Sequence, residues 1–137
     1  MTGLLVLVGT LVLAVPLGFA LRARDGRISR RAESDLPAEV LRVVDPANPI
    51  TLVQLTTTFC AQCPQARTLL RDVAAHTDGV THAEFDLTDH PGIATRLGVL
   101  RTPTTLVVNS SGTELLRVGG VPKRASMLAA LEPHLPA

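Results

Sequence analysis

The chain has only two cysteines, Cys60 and Cys63, with two residues between them, and they fall where the pattern of a buried strand gives way to that of an amphipathic helix. Upstream, Ile50-Thr51-Leu52-Val53-Gln54-Leu55-Thr56 is aliphatic and β-branched and ends in a run of threonines, which reads as a strand running out into a turn. Downstream, Ala66, Leu69, Leu70, Val73 and Ala74 recur at helical spacing, with Arg67, Arg71 and Asp72 between them and Asp78-Gly79 as a stop. This strand-to-helix junction places Cys60 at or next to a helix N-terminus.

A thiol there is favoured as a thiolate, because the first turn of a helix has unpaired amides and the positive end of the helix dipole. Cys60 is therefore the expected nucleophile. Cys63 follows about one helical turn later, where its sulfur can reach that of Cys60, release a mixed disulfide and close an internal one. Pro64 cannot donate a backbone hydrogen bond, which costs little in a first turn. A zinc knuckle is the competing use of such a pair, but it needs two further ligands. The histidines are His76, His82, His90 and His134, none of them at the spacing of a zinc motif. Neither a metal nor an organic cofactor is expected.

A second signal follows in Val99-Leu100-Arg101-Thr102-Pro103-Thr104-Thr105-Leu106-Val107-Val108-Asn109, where Pro103 stands at the entrance of an apolar strand. Here the chain resembles the thioredoxin family, in which a Cys-x-x-Cys at a helix start is followed by a cis-proline before the next strand. The resemblance runs from about Leu52 to about Leu135. It takes in Glu84-Phe85-Asp86 as a strand end, 89–99 as a short helix, Asn109-Ser110-Ser111-Gly112 as a hairpin turn, Arg117-Val118-Gly119-Gly120 as the end of the last strand, and a terminal helix from about Lys123.

The resemblance implies an α/β thioredoxin-like fold, a central mixed β-sheet flanked by helices. It implies that Pro103 is cis and packs beside the cysteines, that the Thr102 backbone pairs with substrate, and that Gly119 forms part of the rim. An ordinary trans proline opening an edge strand and a plain turn glycine are the alternatives. The chain departs from the family at three places. Phe59 replaces the tryptophan before the first cysteine, keeping an apolar lid without the indole donor. Gln54 replaces the buried acid that assists the resolving cysteine, and His82 replaces the neighbouring lysine. His82 has the pKa of a proton shuttle, yet it alternates with Glu84 and Asp86, as an exposed structural histidine would. The proton can also leave through water.

The N-terminus makes a separate statement. From Thr2 to Leu21 there is no charge, and at about 1.5 Å per residue such a helix can cross a hydrocarbon layer of about 30 Å. The run is apolar all round, and Pro16 is tolerated in membrane helices. A cleaved signal peptide with Gly18-Phe19-Ala20 as its cleavage site is the alternative, but Met1-Thr2-Gly3 supplies no basic leader. Arg22, Arg24, Arg27, Arg30 and Arg31 follow, opposed only by Asp25 and Glu33. The positive-inside rule then puts the soluble portion on the cytoplasmic face. The extracytoplasmic side is the alternative, since anchored members of the family usually face outward.

The chain accordingly divides into an anchor (1–21), a basic juxtamembrane linker (22–35) and a thioredoxin-like domain (36–137), the last large enough for one small core. Basic and acidic residues nearly balance in the domain, which argues against a nucleic-acid partner. The linker arginines suit anionic lipid, so a bilayer is an expected partner. Aromatic residues are limited to Phe19, Phe59 and Phe85. Phe85 is expected to anchor the core and Phe59 to stand on a rim or in a substrate groove. Leu36–Asp45 reads as a shortened first strand or helix, and Asp45–Pro49 as a turn-rich connector.

The expected activity is a thiol-disulfide oxidoreductase that reduces disulfides of a protein or small molecule at the membrane surface, with an electron-donor reductase or dithiol as the second partner. The alternative is a non-catalytic binding module of the same fold, or a soft-metal-binding pair.

Overall fold

Every residue of Ile50–Thr56 is buried, so this strand, β2, has both faces covered and forms the middle of the fold. The computed structural model describes residues 1–24, 26–30 and 36–136, with the side chain of Arg30 left aside; Asp25, Arg31 and Glu33 of the basic stretch lie outside the described residues. The described elements are α1 (Thr2–Arg24), β1 (Ile28–Arg30), α2 (Ala38–Leu41), β2, α3 (Cys63–Ala75), β3 (Val80–Asp86), α4 (Pro91–Leu97), β4 (Thr104–Asn109), β5 (Glu114–Gly119), α5 (Arg124–Leu131) and a short 3-10 turn, Glu132–His134.

The strands form one mixed sheet in the order β1-β5-β4-β2-β3. Among the described strands only β2 and β3 are parallel, with Ile50 opposite Val80, and α3 makes the crossover between them. The other pairs are antiparallel. Because strand side chains alternate in direction, β2 supplies two cores. Ile50 and Leu52 pack with Leu70 and Val73 of α3 and with Met127 and Leu131 of α5. Val53 and Leu55 pack on the other face with Val40 of α2 and with Ile93 and Leu97 of α4. The central mixed sheet with helices on both faces expected from the sequence is therefore the observed fold.

Leu36–Asp45, read as a shortened first strand or helix, is helical: it contributes one turn, α2, which fills the second core with Val40. Two details differ from the expectation. The sheet begins earlier than residue 36: Ile28–Arg30, within the stretch read as linker, pairs along β5 with Ile28 opposite Val118 and Arg30 opposite Leu116. Three residues carry no periodic signal, and the unpaired edge of β5 is what makes them a strand. Phe85 is only half-buried against the second core, its ring 5.3 Å from that of His90. Its strand, β3, lies at the edge of the sheet and has a neighbour on one side only.

α1 is a 23-residue helix with no buried residue. Its mean hydropathy reaches 2.6, so by length and composition it can cross a membrane.

Candidate redox site

The two cysteines are joined in a disulfide, with their Cα atoms 5.4 Å apart. Regular helix begins at Cys63 rather than at Cys60, because Gln62 is the N-cap and Pro64 occupies the first turn. Cys60 thus stands in the loop just before the helix. The half-turn between them leaves the two halves of the disulfide in different surroundings. Cys63 is 2 % exposed, on the same helix face as Ala66, Leu70 and Val73, whereas Cys60 is half-buried and open to one side.

Gln54 and His82 stand behind Cys63. Gln54 points to the α3 side of β2, as Ile50 and Leu52 do, and is fully buried. Its amide Nε2 donates to the Cys63 carbonyl at 3.0 Å, which leaves Oε1 as an acceptor. His82 Nε2 lies 3.1 Å from that Oε1, so the proton of the neutral imidazole belongs on Nε2. The strand alternation that suggested an exposed histidine is overridden, because α3 covers this side of β3 and leaves His82 half-buried. Burial holds the His82 pKa below the ordinary imidazole value, opposed by Glu84 and aided by Arg71 and Arg67. Arg67 of α3 pairs with Glu84 of β3 beside it.

The second wall is the loop before β4. The Thr102–Pro103 peptide bond is cis, Pro103 is buried, and Thr102 is half-buried. Three contacts fix this loop: Gly120 N–H donates to the Pro103 carbonyl at 2.8 Å, Thr104 Oγ1 donates to the Arg101 carbonyl at 2.7 Å, and the Thr102 and Thr57 hydroxyls lie 3.2 Å apart. Gly119 ends β5 opposite Thr104. A side chain there would press toward the Arg101 guanidinium, whose Nη2 is 3.4 Å from the position a Cβ would take.

Between this loop and the cysteine loop runs a groove of about 400 Å³, lined by Thr57, Phe59, Leu87, Ala94, Leu100 and Thr102 among others. Phe59 is 96 % exposed and Leu100 is 99 % exposed, so two apolar side chains stand at its mouth almost entirely in solvent. Burial would normally claim such residues.

The structure therefore brings Phe59 and Thr102 to one groove, next in sequence to Cys60 and Pro103, with Gly119 opposite Thr104 at the same end of the sheet and Gln54 and His82 behind Cys63. Sequence reasoning missed Thr57, Leu100 and Arg101. Leu100 carried a legible signal, being a large apolar residue in a loop that fits neither the helical nor the strand pattern beside it. Among the described residues no group of three or more His, Cys, Asp or Glu side chains is placed to hold a metal ion.

The family described as Thioredoxin domain matches residues 51–132, more than half of the chain. The chain belongs to the thioredoxin family. Solved structures agree on the fold. An engineered thioredoxin from Halobacterium salinarum NRC-1 superposes with a TM-score of 0.62 at 17 % identity, covering 75 % of this chain and 89 % of that one. The thioredoxin pre-protein of Schistosoma mansoni gives 0.57 at 15 % identity, covering 74 % and 95 %. A malarial protein gives 0.54 at 16 %, covering 65 % and all of its own length. No curated protein matches in a comparison of sequences. A thioredoxin domain with a closed Cys-x-x-Cys pair is, at the level of the family, a thiol-disulfide oxidoreductase.

Proposed function

We propose that this thioredoxin-family protein is tethered to a membrane by α1 and reduces disulfides of protein or small-molecule substrates at the membrane surface. The observation that carries the direction of attack is the unequal exposure of the two cysteines: Cys60 is half-buried while Cys63 is 2 % exposed. In the dithiol form, the Cys60 thiolate attacks one sulfur of the substrate disulfide and expels the other as a thiol. The Cys63 thiolate then attacks the Cys60 side of the mixed disulfide, releases the second substrate thiol and regenerates the internal disulfide. Two electrons pass to the substrate, and a reductase or dithiol returns them.

The groove beside Phe59 and Thr102 receives the substrate segment, and the Thr102 backbone offers it an extended partner. Neutral His82, linked through Gln54 to the Cys63 carbonyl, is the group positioned to influence the proton of Cys63. No cofactor or metal takes part in these steps. The cluster Arg22, Arg24, Arg27, Arg30 and Arg31 favours the cytoplasmic face for the domain.

The test is a trapping experiment with the full chain in detergent micelles. The Cys63→Ser variant is expected to accumulate mixed disulfides through Cys60, and Cys60→Ser is expected to accumulate none and to lose reductase activity. Equilibration of the native pair against glutathione is expected to give a potential near that of reductases, about −270 mV, whereas about −120 mV would mark an oxidant. A Cys60→Ser variant that still turns over disulfides sinks the reading.

A further inference from the structure

The strap between α1 and the sheet joins the redox end of the domain. β5 runs antiparallel to β4 with Gly119 opposite Thr104, so Gly119 lies at the end of the sheet that carries Pro103 and the cysteines. β1 starts at that same end and runs away from it, Ile28 opposite Val118 and Arg30 opposite Leu116. Just ahead of β1, the Gly26 N–H donates to the Gly119 carbonyl at 2.7 Å. Gly26 has a φ of +73°, and a Cβ there would stand 2.6 Å from the Val121 carbonyl oxygen, so only glycine suits this contact. Three residues separate Arg24, the end of α1, from Ile28, so at full extension the two Cα atoms are at most about 14 Å apart. The site therefore cannot stand far from the point where α1 ends.

The surface around that point has the chemistry of a lipid contact. Phe19, Arg22 and Ala23 of α1 share a cleft with Lys123 and with Gln65, which follows Cys63 by two positions. Arg24 and Arg27 share a second cleft with Leu100, Arg101 and Gly119. Leu100 and Arg101 also line the groove beside Phe59. Exposed apolar tips at Phe59 and Leu100 thus lie beside a set of cationic side chains, all at the end from which α1 emerges.

We propose that this face rests on the anionic headgroup layer of the membrane that holds α1, and that Cys60 acts on disulfides at headgroup depth, such as a cysteine pair close to the span of a membrane protein. The proposal rests on reading α1 as a membrane span and Cys60/Cys63 as a redox pair. Charge complementarity and the short strap select the lipid surface as the occupant. Phe59 and Leu100 enter the interface, and the arginines meet phosphate groups.

The chain has no tryptophan, so Phe59→Trp makes a single reporter at the site. Ser110→Trp makes one at the hairpin about 20 Å away along β4. Each full chain is reconstituted in phosphatidylcholine vesicles containing phosphatidylglycerol, with some lipids brominated. The Trp at position 59 is expected to be quenched severalfold more than the Trp at position 110, and to lose that excess in vesicles without phosphatidylglycerol. Adding Gly26→Val, which breaks the strap contact, is expected to bring its quenching down to the level of the hairpin reporter. Equal quenching of the two reporters in a chain that stays in the vesicles through alkaline carbonate overturns the docking. Quenching unchanged by Gly26→Val overturns the role of the strap. A chain stripped by carbonate overturns the reading of α1 and the proposal with it, and free-thiol counts on the same vesicles that show no cycling overturn the statement about substrates.

Discussion

Glu114 and Arg117 of β5 form an ion pair in the interior, and breaking it tests how the loop of the redox site is held. Arg117 Nε donates to Glu114 Oε1 at 2.7 Å and Nη2 donates to Oε2 at 3.0 Å, the bidentate geometry that favours arginine. Glu114 is fully buried and the Arg117 side chain is 11 % exposed. At the 2.7 Å contact, an effective dielectric of about 20 gives a gross attraction of roughly 6 kcal/mol. Desolvation of both ions cancels much of it, but removing one partner leaves the other charge stranded, which costs about 3–5 kcal/mol. Against a typical stability of about 5–15 kcal/mol, that is a large share.

Glu114→Ala is therefore expected to lower the urea midpoint of the full chain in micelles by roughly 2 M, taking a slope of about 2 kcal/mol per M. The double replacement Glu114→Leu with Arg117→Met removes both ions of the pair together and is expected to recover most of the loss. It does not restore function in full. Arg117 Nη1 also donates to the carbonyl of Leu97, the last residue of α4, and from there Gly98–Thr102 leads to Pro103. The double variant is therefore expected to fold normally and to show a raised KM for a disulfide substrate. A midpoint shift below about 0.5 M for Glu114→Ala, or a double variant no more stable than the single one, would refute the reasoning.

Other consequences follow from the groups behind and around the cysteines. Gln54→Leu keeps the volume but leaves the Cys63 carbonyl and the His82 N–H without the amide between them, and is expected to cost about 1–3 kcal/mol in urea unfolding. His82 has a folded pKa below its unfolded value, so stability is complete above the unfolded pKa near about 6.5 and falls as pH drops through it toward the folded pKa. His82→Gln should remove that portion of the slope, seen as a flatter stability curve for the variant than for the native protein from neutral pH to pH of about 5. Leu100→Ala removes an exposed side chain and should leave the unfolding midpoint within about 0.5 kcal/mol of the native value, while raising KM for an apolar disulfide substrate. Equal KM values for the two proteins would take Leu100 out of the groove's work. In intact cells, an impermeant maleimide should fail to label the reduced Cys60 if the domain is cytoplasmic, and labelling would place it on the outer face.

The sequence by itself determined the parts of this protein that depend on neighbours in the chain. The aliphatic, β-branched run Ile50–Thr56, helical spacing from Ala66 to Val73 and the Cys-x-x-Cys between them are local, and β2, α3 and the disulfide follow from them. The uncharged run before Arg22 is equally local, and it is a helix with no buried residue. Only the tertiary structure decided which residues meet across the sheet. Ile28–Arg30 has too few residues for a pattern and becomes a strand because β5 offers an unpaired edge. His82 turns inward toward Gln54 because α3 lies over that side of β3. Phe85 loses its expected place in the core because its strand is at the edge of the sheet. Gly26 meets Gly119 across more than ninety positions of sequence, and no periodicity encodes a contact that the folding of β4 and β5 creates.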